Sequence, residues 1–392
     1  MTLSVTRRRL LAALAAAPLA ATLPRAFAAA QPPRLFIMVF LYGGNDGFNT
    51  IVPYANPDYY RLRPHVAVRR ESVIPITASH GFNAALAPLL PAWRANELAL
   101  VQGIGYSQGT QQHYRDCETA FTACDGQEYS AEGWVTRALA RRAHRTSAPD
   151  VVAFDTLDVR ETDPMGPFRG DKLGVVEVYY ASDLLALRRL DRCAIQANDR
   201  GRAALARPGD PLPATPLKTG FPADAFGNAM RAAVELAACD RTLPIIHVAL
   251  NGPDGDKHHS VDCHWDQAKY HDDALARLAA GLAALRDGLK EIGRWDETLV
   301  ATYDEFGRCP MENEDRGTHH GLATTHFVLG GRVKGGLVGE APAFERMFPY
   351  IGGPVPTIDT RRLWTTVIER WWEGDAGGVF TRAHKPLDLL RV

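Results

Sequence analysis

No Cys-x-x-Cys pair occurs among the six cysteines, at positions 117, 124, 193, 239, 263 and 309. Zinc-ribbon and thioredoxin-type chemistry, which need two closely spaced thiols, are thereby removed. Charge of one sign is also lacking. Basic and acidic residues almost cancel, leaving a net charge of −1, so neither nucleic acid nor an anionic lipid surface is expected as a partner. A stable membrane span is not expected either. The Ala/Leu stretch that ends at Ala17 falls short of the ~20 apolar residues a spanning helix needs.

That stretch reads instead as part of an export signal. Arg7-Arg8-Arg9 supplies a basic start, the Ala/Leu run a short apolar core, and Ala26-Phe27-Ala28 a small-residue cleavage site. The paired arginines point to the twin-arginine machinery, which exports folded proteins, and so to a periplasmic or secreted location. Residues 1–28 are therefore set apart as a signal peptide, and residues 29–392 are expected to form one α/β domain. An oxidising compartment permits disulfides. Cys117 and Cys124 are the closest pair, but no bond between them is expected.

What is present is ordinary in bulk, 46% hydrophobic and 23% charged, and specific in pattern. Leu35–Leu41 is an unbroken apolar run without helical spacing, the mark of a strand buried on both faces. It stops at Gly43-Gly44-Asn45-Asp46-Gly47, where glycines allow a sharp turn. In an open parallel sheet, such a loop at a strand's carboxyl end is where ligands sit.

Further strands are expected at 98–104, 151–154, 175–179, 243–250, 298–303 and 325–329. Helices are expected from Tyr114, at 227–238, and at 272–292, where Leu275, Leu278, Leu282, Leu285 and Leu289 form one stripe. Asn83–Ala95 reads as a helix broken by Pro88 and Pro91, and Leu184–Asp199 as a continuous helix. Residues 200–224, with five prolines, read as an irregular insertion. The five strands at 35–41, 98–104, 243–250, 298–303 and 325–329 are expected in one sheet with their carboxyl ends on a shared edge.

Acids and histidines gather after these strands. The loop after 243–250 carries Asp254, Asp256, His258, His259, Asp262, His264 and Asp266. Groups packed this tightly would titrate awkwardly unless a cation holds them. The strand at 298–303 ends at Asp304-Glu305-Phe306-Gly307-Arg308, and Gly317-Thr318-His319-His320-Gly321 precedes the next. His247, inside an apolar strand, reads as a core histidine. His271 reads as a capping or supporting residue at the start of the long helix.

These segments resemble the DUF1501 proteins, twin-arginine-exported members of the alkaline phosphatase and sulfatase superfamily. The matching motifs are GGNDGFN (43–49), Gly133-Trp134, Asp262-Cys263-His264-x-x-Gln267, Asp304-Glu305-Phe306-Gly307-Arg308, Gly317–Gly321 and the segment Asp359–Trp372. The resemblance implies a doubly wound α/β/α sandwich, alkaline phosphatase-like, with loop insertions and a two-metal site at the sheet's carboxyl edge. It implies a divalent metal (zinc, manganese, calcium or magnesium) held by Asp46, Asp262, His264, Asp304, Glu305, His319 and His320. His113 and Arg308 would hold a small anionic ester, of phosphate or sulfate.

Two departures from the family pattern matter. His319 stands where relatives carry Asp. Gln112 stands where they carry Ser, and an amide cannot form a covalent phospho- or sulfo-enzyme. Thr110 is the nearest hydroxyl, and water activated at the metal is the other route. The competing expectation is a non-catalytic metal-binding or cell-surface assembly protein on the same scaffold.

Overall fold

The computed structural model describes residues 34–126, 128–140, 149–154, 166–178, 181–186, 195–197, 203–205, 216–250, 261–344 and 353–391. The export segment and Asp254, Asp256, His258 and His259 lie outside the described residues. Pro33–Val392 is one compact unit.

Ten of the described strands and seven of the described helices frame the site. The strands are β1 (Leu35–Phe40), β2 (Leu98–Gly105), β3 (Val151–Phe154), β4 (Val175–Val178), β5 (Ile245–Ala249), β6 (Thr298–Tyr303), β7 (Gly307–Glu312), β8 (Thr318–Gly321), β9 (Thr324–Leu329) and β10 (Gly336–Val338). The helices are α1 (Gly47–Thr50), α2 (Pro57–Leu62), α3 (His113–Thr122), α4 (Trp134–Leu139), α5 (Ala225–Cys239), α6 (Gln267–Glu291) and α7 (Thr360–Thr366).

The fold is α/β around a central mixed sheet, in the order β10-β2-β9-β6-β1-β5-β3-β4, with Ile358–Asp359 pairing β2. Side chains alternate across a strand, so β1 feeds two cores. Leu35, Ile37 and Val39 pack with the leucine stripe of α6 and with Met230 and Val234 of α5. Phe36, Met38 and Phe40 pack on the opposite face with Phe121, Trp134 and Trp364, from α3, α4 and α7. Helices therefore cover both faces, and every residue of β1 is buried, as the unbroken apolar run requires.

All five expected strands lie in this sheet, but their directions correct the expectation of one shared carboxyl edge. β5 and β6 flank β1 and run parallel to it. β9 runs antiparallel to both β6 and β2, so its amino end meets the edge where the others finish. The hairpin of β7 and β8 supplies the reversal. Its histidines reach the common edge because β9 starts there.

The helix expected over Leu184–Asp199 is corrected as well. Ala181–Ala186 is helical, but Ile195–Ala197 pairs antiparallel with Ala203–Leu205. The break in Asn83–Ala95 appears as a 3-10 turn, Ala84–Leu89, followed by a short helix, Leu90–Arg94. Helix α6 starts before Asp272, which places His271 inside it rather than at its start.

Candidate metal centre

Three parallel strands deliver the site's loops to one edge. β1 runs into Gly43-Gly44-Asn45-Asp46, β6 into Asp304-Glu305-Phe306, and beyond β5 come Asp262 and His264. Gly43 has φ +106°, and a Cβ there would stand 2.4 Å from Cβ of Asp262. Only glycine lets the first loop pass so close. His113 comes from the first turn of α3, and Arg308 and His320 from the paired strands β7 and β8.

Asp262 is the centre of the cluster. Its Oδ1 lies 3.1 Å from His264 Nε2 and 3.3 Å from His320 Nε2, and its Oδ2 lies 3.4 Å from His113 Nε2. The two nitrogens of His264 and His320 are 2.8 Å apart. Two of the rings are fixed from behind. His113 Nδ1 is 2.9 Å from Glu305 Oε1, and His320 Nδ1 is 2.7 Å from the Gln111 carbonyl oxygen. A carbonyl only accepts, so Nδ1 of His320 donates to it, and Nε2 faces Asp262 and His264.

Electrostatics follow from burial and these contacts. Burial alone would raise the Asp262 carboxyl. The hydrogen bonds from His113, His264 and His320, with the Arg308 guanidinium, instead hold it well below the usual carboxylate range. Burial would lower His113, yet Asp262 and Glu305 push it up to about 9. His320 is lowered, first by burial, with Arg308 and His113 adding to the effect against its bonds to Asp262 and Gln111. Phe306 stacks on His320 at 4.2 Å between ring centroids, and Tyr42 packs on His113 at 5.2 Å.

This donor set fits a metal. Ligand atoms of His113, Asp262 and His320 all lie within 4.8 Å of one another, and His264 adjoins two of them. Donors around one ion stand about 3–4 Å apart when each bond is ~2.0–2.6 Å. Metal-bound histidines characteristically donate their second ring N–H to a carboxylate or backbone carbonyl, the roles that Glu305 and the Gln111 carbonyl fill here. Glu305 also accepts from the Gly43 N–H at 2.9 Å through the same oxygen, while its buried Oε2 has no partner among the described residues. An imidazole-rich set suits zinc better than calcium or magnesium, which take all-oxygen shells.

Other residues expected at the site are placed elsewhere. Asp46 is buried as the N-cap of α1 and pairs with Arg63. Asp304 accepts from the Asn45 N–H and the Thr324 hydroxyl. Burial and the neighbouring Glu305 raise its pKa well above the usual carboxylate value. His326 Nε2 lies 3.7 Å from Asp304 Oδ1, but burial lowers His326 to about 3. His326 is therefore neutral, and the contact is not an ion pair.

His319 is exposed, one step out of phase with His320 along β8, and its ring centroid is 6.4 Å from that of His264. Thr110 gives its hydroxyl to Asp116 Oδ1 at 2.9 Å. Arg308 donates to the carbonyls of Gly43, Gly44 and Thr318 and to Asp262, so it braces the loops. Gln112 caps α3 without a side-chain bond. His247 is a core histidine bonded to the Tyr303 hydroxyl at 2.8 Å, and His271 holds Asn45 at 3.1 Å.

Sequence reasoning gave no role to Arg63, Gln111, Asn45 or Gln267. Gln267 and Asn45 carried a signal, as members of the Asp-Cys-His-x-x-Gln and GGNDGFN motifs. Gln267 donates to Asp46 and accepts from the Thr318 hydroxyl.

Fold and site together define an α/β protein with an imidazole–carboxylate cluster at the carboxyl edge of its sheet. Residues 191–348 match the model of the family described as "Protein of unknown function (DUF1501)". No curated protein matches the chain in sequence.

Among solved structures, the lipoteichoic acid synthase LtaP from Listeria monocytogenes is similar at 10% identity and a TM-score of 0.44, over 92% of this chain and 77% of that one. A TAB5 alkaline phosphatase variant with Mg bound is similar at 10% identity and a TM-score of 0.40, over 88% and 99%. The phosphonate monoester hydrolase SpPMH from Silicibacter pomeroyi is similar at 11% identity and a TM-score of 0.39, over 88% and 74%.

Proposed function

We propose that this chain is an exported hydrolase of phosphate or sulfate esters that works with a divalent cation held by His113, Asp262, His264 and His320. The observation that carries the reading is the convergence of three imidazole nitrogens on one ionised carboxylate, with two of the rings anchored from behind. When bound, the cation would supply Lewis acidity toward an ester oxygen and toward water.

The chain's own residues do the positioning. Glu305 and the Gln111 carbonyl orient His113 and His320, and Arg308 keeps Asp262 charged while tying it to the first loop. Phe306 and Tyr42 shield the imidazoles on one side. Thr110 is committed to Asp116, and Gln112 cannot form a covalent intermediate. Water is therefore the nucleophile in this reading.

Export through the twin-arginine route is part of the proposal. It is supported by the sequence of residues 1–28 and by the disulfide at Cys239. No described helix is long and apolar enough to cross a membrane. Replacing Arg7 and Arg8 by Lys should leave precursor in the cytoplasm, and undiminished export of that variant would overturn this part.

A second reading, metal binding without catalysis, is favoured by one observation. Arg308 spends its donors on carbonyls and Asp262 and presents no free guanidinium to an anionic ester. A screen of phosphate monoesters, phosphodiesters and sulfate esters separates the two. Turnover by zinc- or manganese-loaded protein well above a chelator-treated control supports the hydrolase. Tight metal with silence across all three classes supports the binding protein.

A further inference from the structure

We infer that Arg63 stands in for a second metal ion, so that the site takes one divalent cation per chain, with the charge of Asp46 balanced by a buried guanidinium. The inference rests on the proposal that the Asp262 cluster holds a cation, and adds the number of ions and the reason for it. The family resemblance led to the expectation of two metals, with Asp46 among the ligands. The contacts of Asp46 leave no place for one.

A carboxylate offers about four lone-pair positions, and all of those on Asp46 are taken. Oδ1 accepts from the Phe48 N–H at 3.0 Å and the Asn49 N–H at 3.3 Å. Oδ2 accepts from Arg63 at 2.5 Å and from the Gln267 amide. Asp46 is 1% exposed and Arg63 is 0% exposed. Burial would raise the Asp46 carboxyl, but the Arg63 charge, followed by that of His271, pulls it below its ordinary value. It is an ionised group whose compensating charge is already built in.

The surroundings of Arg63 show what it replaces. Its guanidinium donates to Asp46 Oδ2, to Asn49 Oδ1 at 2.8 Å, to the Cys309 carbonyl at 2.7 Å and to the Pro310 carbonyl at 2.8 Å. All four partners are oxygens, including one carboxylate and two backbone carbonyls. That is the shell a hard divalent cation selects. The rings of Phe48 and Tyr59 lie 5.1 and 5.8 Å from the guanidinium carbon, a contact that a delocalised cation favours.

The two charged centres are linked but unequal. Gln267 joins Asp46 to Thr318, and Arg308 donates to the Thr318 carbonyl at 3.1 Å. On the Asp262 side the carboxylate is 24% exposed and three imidazoles face it. On the Asp46 side there is neither opening nor free donor. A second ion placed within reach of Asp46 would also meet the like charge of Arg63.

Elemental analysis of the mature protein, loaded with excess zinc or manganese and desalted, tests the count. One ion per chain is expected. Two would overturn this inference alone, whereas none would remove the underlying metal proposal as well. In Arg63→Ala the four oxygens face an emptied space. Added manganese or calcium should then raise its melting temperature and bring a second ion into the analysis, while wild type gains no second ion. A folded Arg63→Ala protein that takes up neither ion overturns the stand-in role. Asp46→Asn gives a check that does not depend on the Arg63 variant folding. It should keep one ion, and loss of that ion would overturn the inference.

Discussion

The Nε2 atoms of His264 and His320 stand 2.8 Å apart, and both lie within 3.3 Å of the same oxygen, Asp262 Oδ1. Two bare imidazole lone pairs do not share such a space. Either a proton or a cation lies between them. Because Nδ1 of His320 is fixed on the Gln111 carbonyl, its lone pair is available at Nε2, where a metal would use it.

Removing a ligand should therefore cost more than removing its support. Glu305→Gln keeps the size of the side chain that anchors His113, and should weaken metal binding by about 10–100-fold. His320→Ala and Asp262→Asn should weaken it further than that. Competition against a chromophoric chelator gives the order, and a Glu305 effect as large as the Asp262 effect would contradict these roles.

Metal uptake should release a proton and strengthen with pH. His113 is pushed up to about 9 by Asp262 and Glu305, so at neutral pH the ion must displace its proton. Calorimetry in buffers of differing ionisation enthalpy measures that release. For the metal-free protein the sign is fixed by linkage. A histidine whose folded value exceeds its unfolded value of about 6.5 stabilises fully below pH 6.5, and that stability is lost as pH rises through about 9. Urea unfolding of metal-free protein at pH 6 and pH 9 should show the loss, and metal-loaded protein should show less of it.

Gly317→Ala should impair the site without touching a ligand. A Cβ at Gly317 would stand 2.1 Å from the carbonyl carbon and oxygen of His264, so the backbone carrying that imidazole must shift. Metal affinity should fall at least tenfold in protein that still unfolds cooperatively. Unchanged affinity would show that His264 contributes nothing to binding.

The parts legible in the sequence share one property, a signal carried by adjacent residues. Leu35–Phe40 announced a strand buried on both faces because the run is uninterrupted, and the α6 stripe announced itself by spacing. Asp262, His264 and His320 were marked by motifs. The direction of β9 was hidden, because an apolar run looks the same whichever way it is threaded. Arg63 was hidden for a different reason. Its partners Pro310 and Cys309 are brought near only by the fold, and a lone arginine before Pro64 resembles any surface residue. His319 misled because a doubled histidine does not say which ring points inward, and strand alternation then admitted His320 alone.

The reversal of β9 has an engineering consequence. Residues 304–323 leave the sheet from β6 and return to it through β9, its direct neighbour, where Val300 pairs with Leu329 and Ala301 with Val328. Both ends of the segment are thus clamped side by side by the sheet, so changing its length adds little closure entropy. Glu305, Arg308 and His320 travel together on it. It can be exchanged between related chains as a cassette, replacing one proposed ligand and two of its supporting residues while leaving both cores intact.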